Sequence, residues 1–139
     1  MLTRVLFALG LVCGAAGAAS SEETKILALG IADHAVTQDE LAKGEAPPAP
    51  HYNTPGVAYA LASNLKKGDA VEVWLKHEGR FSIRNTGTLA EDKPTYLLQA
   101  GKEGVPAGGW PEGDYYALVK IVRDGKPLIE EKSGPVRID

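Results

Sequence analysis

Beyond residue 23, apolar positions fall in short runs separated by turn residues, and no long stretch carries helical periodicity. That pattern predicts an all-β sandwich or barrel. Thr24–Ile31 reads as a first strand. Gly56–Ala62 reads as a second, in which Val57, Tyr59 and Leu61 alternate with alanines. Both of its faces are apolar, which predicts a central position. After a Lys66–Asp69 turn, Ala70–His77 is a third strand, with Val71, Val73 and Leu75 on one face and Glu72, Trp74 and Lys76 on the other. Arg80–Arg84 gives a fourth, with Phe81 and Ile83 sharing a face, and Pro94–Gln99 a fifth. Tyr115–Arg123 alternates, with Tyr115, Ala117, Val119 and Ile121 on one side. Asp124-Gly125 suits the positive φ of a two-residue hairpin turn, and Lys126–Glu131 pairs back. Gly134-Pro135 predicts a kink or bulge before Val136 and Ile138. About seven antiparallel strands in a chain of this length is the count of an immunoglobulin-like sandwich.

The stretches between strands are informative too. Residues 32–55 form a proline-rich loop region. One helical turn is expected near Thr37–Leu41, with Thr37 capping and Glu40 reaching back to it. Pro47, Pro48 and Pro50 impose an extended path. Ala100–Gly113 reads as a glycine-rich loop. No internal repeat or charge block stands out.

The beginning of the chain reads as an address. Arg4 precedes the apolar run Val5–Val12, and the small residues Ala16-Gly17-Ala18 fit the A-x-A cleavage rule. Residues 1–19 are therefore expected to be a signal peptide helix that is removed, leaving residues 20–139 as a single β-sandwich domain without a membrane span. The run is too short to cross a ~30 Å hydrocarbon core comfortably. The expected location is periplasmic or secreted. A minor alternative is lipid anchoring through Cys13, although Val12 is branched where a small residue is expected. Otherwise Cys13 leaves with the signal, and the mature chain has neither disulfide nor thiol chemistry.

Composition narrows the partners. With 44% hydrophobic and 24% charged residues, the 139-residue chain has a globular rather than a disordered make-up. Its 16 glycines and 9 prolines imply many turns. The formal charge of −3 argues against a nucleic-acid partner. Loss of Arg4 with the signal lowers it by one.

The run Gly109-Trp110-Pro111-Glu112-Gly113-Asp114-Tyr115 is the most specific segment. Pro111 fixes φ, Gly113 relieves the entry into the next strand, and the Tyr115 hydroxyl is placed to reach back to loop backbone, a tyrosine corner. With the alternating strand and Asp124-Gly125-Lys126 that follow, this stretch resembles small secreted bacterial domains of the immunoglobulin-like or fibronectin-III type, which read G-W-P-x-G-x-Y, strand, D-G-K, strand. Val71-Glu72-Val73-Trp74 after Lys67-Gly68-Asp69 is similar to their middle strand. The resemblance implies a β-sandwich used for adhesion, carbohydrate contact, periplasmic binding or structure. The shared residues determine fold, so they assign no functional role.

Catalytic signals are weak. His34, His51 and His77 match no local ligand spacing and read as exposed loop or strand-edge residues. No serine lies in a G-x-S-x-G context. The acidic pairs Glu22-Glu23, Glu91-Asp92 and Glu130-Glu131 read as solvated surface. No metal or other cofactor is expected, and the chain is not expected to be an enzyme. Aromatic residues give the better lead, since they offer rigid contact area at low entropic cost. The candidate ligand contacts are Trp74, Trp110 and Tyr116, with His51 and Tyr52 in a loop that serves recognition or merely crosses between sheets. Against this, Trp110 can fold down as a lid over the sandwich end and Trp74 can pack under a loop. The expected function is noncatalytic binding of a protein or glycan of the cell envelope by a monomer or weak oligomer. A structural accessory domain of an envelope assembly is the alternative, and a small hydrolase with an unrecognised site is another.

Overall fold

Alternation in the third strand predicts its two faces, and the fold bears this out: Val71, Val73 and Leu75 are buried while Glu72, Trp74 and Lys76 point outward. A computed structural model describes residues 23–78, 82–102, 106 and 108–139. The signal segment, Cys13, Arg80 and Phe81 lie outside the described residues. The elements are β1 (Lys25–Ala32), α1 (Gln38–Ala42), β2 (Gly56–Leu65), β3 (Ala70–His77), β4 (Ser82–Thr88), β5 (Lys93–Lys102), β6 (Gly113–Arg123), β7 (Lys126–Lys132) and β8 (Val136–Ile138).

The strands form two antiparallel sheets. One has the order β1-β2-β5, so the doubly apolar β2 is central as its pattern predicts. In the other, β6 lies between β3 and an edge made of β7 and β8, and β3 carries β4 on its far side. The protein is an all-β sandwich of two antiparallel sheets in which the fourth strand pairs with the third.

Among the described residues, eight strands appear where about seven are expected, because the last one breaks at Ser133-Gly134-Pro135. Ser133 bridges the break. Its backbone N–H donates to Ala117 O at 2.9 Å, and its hydroxyl accepts from Ala117 N at 2.9 Å. The predicted hairpin turn forms, with Asp124 at φ 54° and Gly125 at φ 77°.

Between the sheets, Ala58, Ala60 and Ala62 of β2 meet Val71, Val73 and Leu75 of β3 and Ala117, Val119 and Ile121 of β6. The opposite face of β2 is also covered. Tyr59 packs there with Ala32 and Val36 beneath the 32–50 segment. Gln99 fastens that segment to β5: its carbonyl accepts from Val36 N at 2.7 Å and its amide donates to Val36 O at 3.0 Å. Thr37 accepts from Glu40 N at 3.1 Å, as the expected cap requires. The Glu40 carboxylate does not reach back to Thr37. It meets His34 instead, at 2.6 Å.

Strand edges carry several irregularities. Leu27 is the extra residue of a bulge in β1, where the register shifts between Ile26 and Ala28. Pro94 lies in the edge strand β5, and Pro135 interrupts the β7–β8 edge. Several elements run longer than the sequence pattern implies: β2 continues to Leu65, β4 through Asn85-Thr86-Gly87-Thr88 and β5 to Lys102, and β6 begins already at Gly113.

A buried ion pair closes the sandwich opposite the Trp110 end. Asp69 is 1% exposed. Arg123, the last residue of β6, donates to both of its oxygens at 2.9 and 2.8 Å. Lys66 N donates to the same carboxylate at 2.8 Å. Arg123 Nη2 also donates to Thr24 Oγ1 at 2.8 Å, and that hydroxyl donates to Asn64 O at 2.7 Å.

Candidate functional site

Backbone register decides which sequence candidates share a surface. Trp74 of β3 lies opposite Arg84 of β4 and Leu118 of β6, and Lys76 lies opposite Tyr116. Trp74 and Tyr116 are therefore diagonal neighbours on the outer face of the five-stranded sheet, as their alternation predicts. Cations cover their rings. Lys76 Nζ sits 4.6 Å from the Trp74 ring centre and Arg84 Cζ 5.2 Å, while Lys132 Nζ sits 5.3 Å from that of Tyr116. Among the described residues, the shielded Trp74 Nε1 has no hydrogen-bond acceptor.

Beside Tyr116 lies an open cleft of about 400 Å³, lined by Glu78, Asp114, Lys132, Ser133 and Pro135. Asp114 forms one wall and pairs across β6–β8 with Arg137, their charged atoms 3.6 Å apart. Arg137 in turn lines a second hollow of about 600 Å³ with His51, Tyr52 and Asn53. Tyr52 is 52% exposed. The loop that presents it is closed by His51 N donating to Thr54 Oγ1 at 2.8 Å. Four of the five sequence candidates thus lie along one path, from Trp74 and Tyr116 through the Asp114–Arg137 pair to His51 and Tyr52.

Trp110 leaves that surface, which corrects its place among the ligand contacts. It is 4% exposed and packs as a lid on the sandwich end. Its Nε1 donates to Thr54 O at 2.7 Å and its backbone N donates to Tyr52 O at 2.8 Å. Gly56 makes room for the indole, since a Cβ there would lie 2.9 Å from Trp110 Cζ2. Beneath the lid, the Tyr115 hydroxyl donates to Pro111 O at 2.6 Å, the expected tyrosine corner. Trp110 therefore shapes the loop that carries His51 and Tyr52 from below.

Of the histidines expected as exposed loop or strand-edge residues, His77 is the one that departs from that reading. His77 is buried, with its ring edge against Tyr115 at 4.6 Å between centroids and its Nε2 2.9 Å from Glu112 O. His34 is part-exposed but clamped: Nδ1 lies 2.6 Å from Asp33 Oδ1 and Nε2 lies 2.6 Å from Glu40 Oε2. Both ring nitrogens can donate only in the imidazolium form. The Asp33 hydrogen bond chiefly, then that of Glu40, raises the His34 pKa above its ordinary 6.5. A raised folded pKa means that the clamp is complete below pH 6.5 and is lost as pH rises through the folded value. In an NMR titration, His34 is expected to protonate above 6.5, and Glu40→Gln is expected to move the midpoint down. A midpoint at or below 6.5 in the unaltered protein would show that the clamp does not hold in solution.

Sequence reasoning placed Lys76 on the face of Trp74 but missed Arg84, Lys132 and Arg137. Lys76 is two residues along the same strand, so alternation reveals it. The other three arrive by cross-strand register, which no local pattern encodes. Among the described residues, no three His, Cys, Asp or Glu side chains converge as metal ligands, and no helix is long and apolar enough to cross a membrane. No family model, characterised protein or solved structure matches this chain.

Proposed function

We propose that this protein is a noncatalytic binding module, acting in the periplasm or outside the cell. It holds a protein or glycan ligand across the outer face of β3, β4, β6 and β7. One observation carries the reading: Trp74 and Tyr116 lie side by side on that face, flanked by Lys76, Arg84 and Lys132, and the face continues toward the His51–Tyr52 loop. Aromatic platforms with adaptable polar neighbours are what recognition surfaces favour. A rigid sandwich beneath them limits the entropy lost on binding. The resemblance to small secreted immunoglobulin-like domains points the same way.

Backbone and indole N–H chemical shifts provide the test. The panel is a neutral glucan, a polyuronate, an acidic peptide and a basic peptide. At least one is expected to shift the Trp74 indole signal together with Tyr116 and Lys132. The same ligand should bind about tenfold more weakly to Trp74→Ala and to Tyr116→Ala, with folding unchanged. Shifts confined to the opposite sheet, or none with any ligand, would overturn the assignment.

A further inference from the structure

Residues 37–47 form a strap over the outer face of the β1-β2-β5 sheet, and both of its ends are fixed. At one end, Val36 is buried and bonded in both directions to the Gln99 side chain of β5. At the other, Pro48 O accepts from Asp33 N at 3.0 Å, just beyond the end of β1. Between these anchors the strap carries α1, a five-residue helix that is too short to be stable by itself. Its backbone bonds are local: Leu41 N, Lys43 N and Gly44 N donate to Thr37 O, Glu40 O and Leu41 O at 3.2, 3.3 and 3.1 Å. Among the described residues, two side-chain hydrogen bonds fasten it to the rest of the protein. Gln38 Oε1 accepts from Thr95 Oγ1 at 2.9 Å, and Glu40 Oε2 lies 2.6 Å from His34 Nε2. Leu41 adds packing against the Val36–Tyr59 cluster. It also walls an apolar hollow of about 270 Å³ that Leu27, Leu29, Pro47 and Tyr59 help to line.

Of the two polar ties, only the one to His34 changes with pH. The charged groups that act on His34 are Asp33 and Glu40. Asp33 is its chain neighbour and stays beside the ring whatever the strap does. Glu40 reaches the ring only when the strap is closed. Tyr59, on the β2 face below, also feels the Glu40 charge. Burial first, and then that charge, push its phenol above the usual 10.0, so it stays neutral while His34 titrates. The closed strap therefore binds the His34 proton more tightly than an open one does, and by linkage the proton favours closure. When the proton leaves, one ring nitrogen turns a lone pair toward a carboxylate.

We propose that residues 37–47 are a proton-locked strap: closed over the Tyr59 face while His34 is charged, and opening more often, with Leu41 withdrawn from the hollow, once His34 is neutral. The His34 pKa is raised in the folded protein, so the lock is complete below pH 6.5 and is lost as pH rises through the folded value. The His34 side chain is 41% exposed. The lock is therefore a bias of about two- to fivefold, the range for a partly exposed ion pair. Val36 and Pro48 keep their anchors, so the strap opens as a local event and the sandwich stays folded.

Hydrogen exchange at the Leu41, Lys43 and Gly44 amides of the intact chain tests this, read as protection relative to unstructured peptide from about pH 5 to 9. Protection is expected to fall about two- to fivefold, with a midpoint above 6.5. The Val36 amide, held by Gln99, is expected to stay level over the same range. His34→Gln and Glu40→Gln should each give low protection that no longer varies with pH. Asp33→Asn should keep the fall but move its midpoint down, because Asp33 raises the proton affinity without reporting on the strap. Melting curves for the three variants check that the sandwich is intact. Level protection in the unaltered protein, an equal fall in Glu40→Gln, or no protection at any pH would overturn the proposal. A fall shared by Val36 and the β3 amides would overturn it too, by making the event general unfolding.

Discussion

Tyr115→Ala is expected to lower the unfolding free energy by about 4 kcal/mol, the range for removing a large buried aromatic side chain. Tyr115 is the largest fully buried side chain among the described residues. Its ring meets His77 edge-on, lies 6.0 Å from Trp110 between centroids, and is tied by its hydroxyl to Pro111 O. Truncation leaves a cavity under the Trp110 lid. Tyr115→Phe keeps the ring and loses only the hydroxyl bond, so about 1–2 kcal/mol is expected. The difference separates packing from the corner hydrogen bond. Urea unfolding of both variants measures it, and equal costs would remove the cavity argument. A loss of about 4 kcal/mol in a domain of this size corresponds to a fall of roughly 15 °C in Tm.

Arg123→Ala is expected to cost about 3 kcal/mol at neutral pH, because it strands a carboxylate that is almost wholly out of water. The same pair predicts acid sensitivity. The Arg123 hydrogen bonds chiefly, helped by the Lys66 N–H and opposed by burial, hold the Asp69 carboxyl below its ordinary 3.8. A depressed folded pKa means that the stabilisation is complete above pH 3.8 and is lost as pH falls through the folded value. Removing Arg123 takes away the main cause of the depression. The acid limb of the stability curve should then move to higher pH, alongside the overall loss. Asp69→Asn should flatten that limb. Stability measured from pH 2 to 7 on the three proteins decides this, and parallel curves for the unaltered and Arg123→Ala chains would refute it.

Much of the fold is legible in local pattern. Alternation alone fixes β3 from Ala70 to His77 and sends Trp74 outward. Asp124-Gly125 fixes the β6–β7 hairpin, and the Trp110–Tyr115 run announces the corner. What escapes is non-local. Asn85-Thr86-Gly87-Thr88 reads as turn chemistry, yet pairing with the strongly apolar β3 holds it extended. Asp69 looks like an ordinary turn residue until Arg123, 54 positions away, is brought against it. Glu40 has a local donor available in the Thr37 backbone N–H, but its carboxylate meets the His34 ring nitrogen instead. The candidate face divides the same way. Trp74 and Tyr116 follow from strand periodicity, whereas the guanidinium and ammonium groups over their rings follow only from register.

The irregular strand edges bear on how this protein can engage anything at all. Unpaired edge backbone is the usual route by which sheets recruit foreign strands and polymerise. Here the bulge at Leu27 bends β1, Pro94 removes a donor from β5, and Pro135 breaks the edge formed by β7 and β8. Each interrupts the regular ladder that an incoming chain would need. Main-chain zippering between copies along these three edges is thereby discouraged even at high local concentration, which leaves β4 as the edge with an unbroken ladder among the described residues.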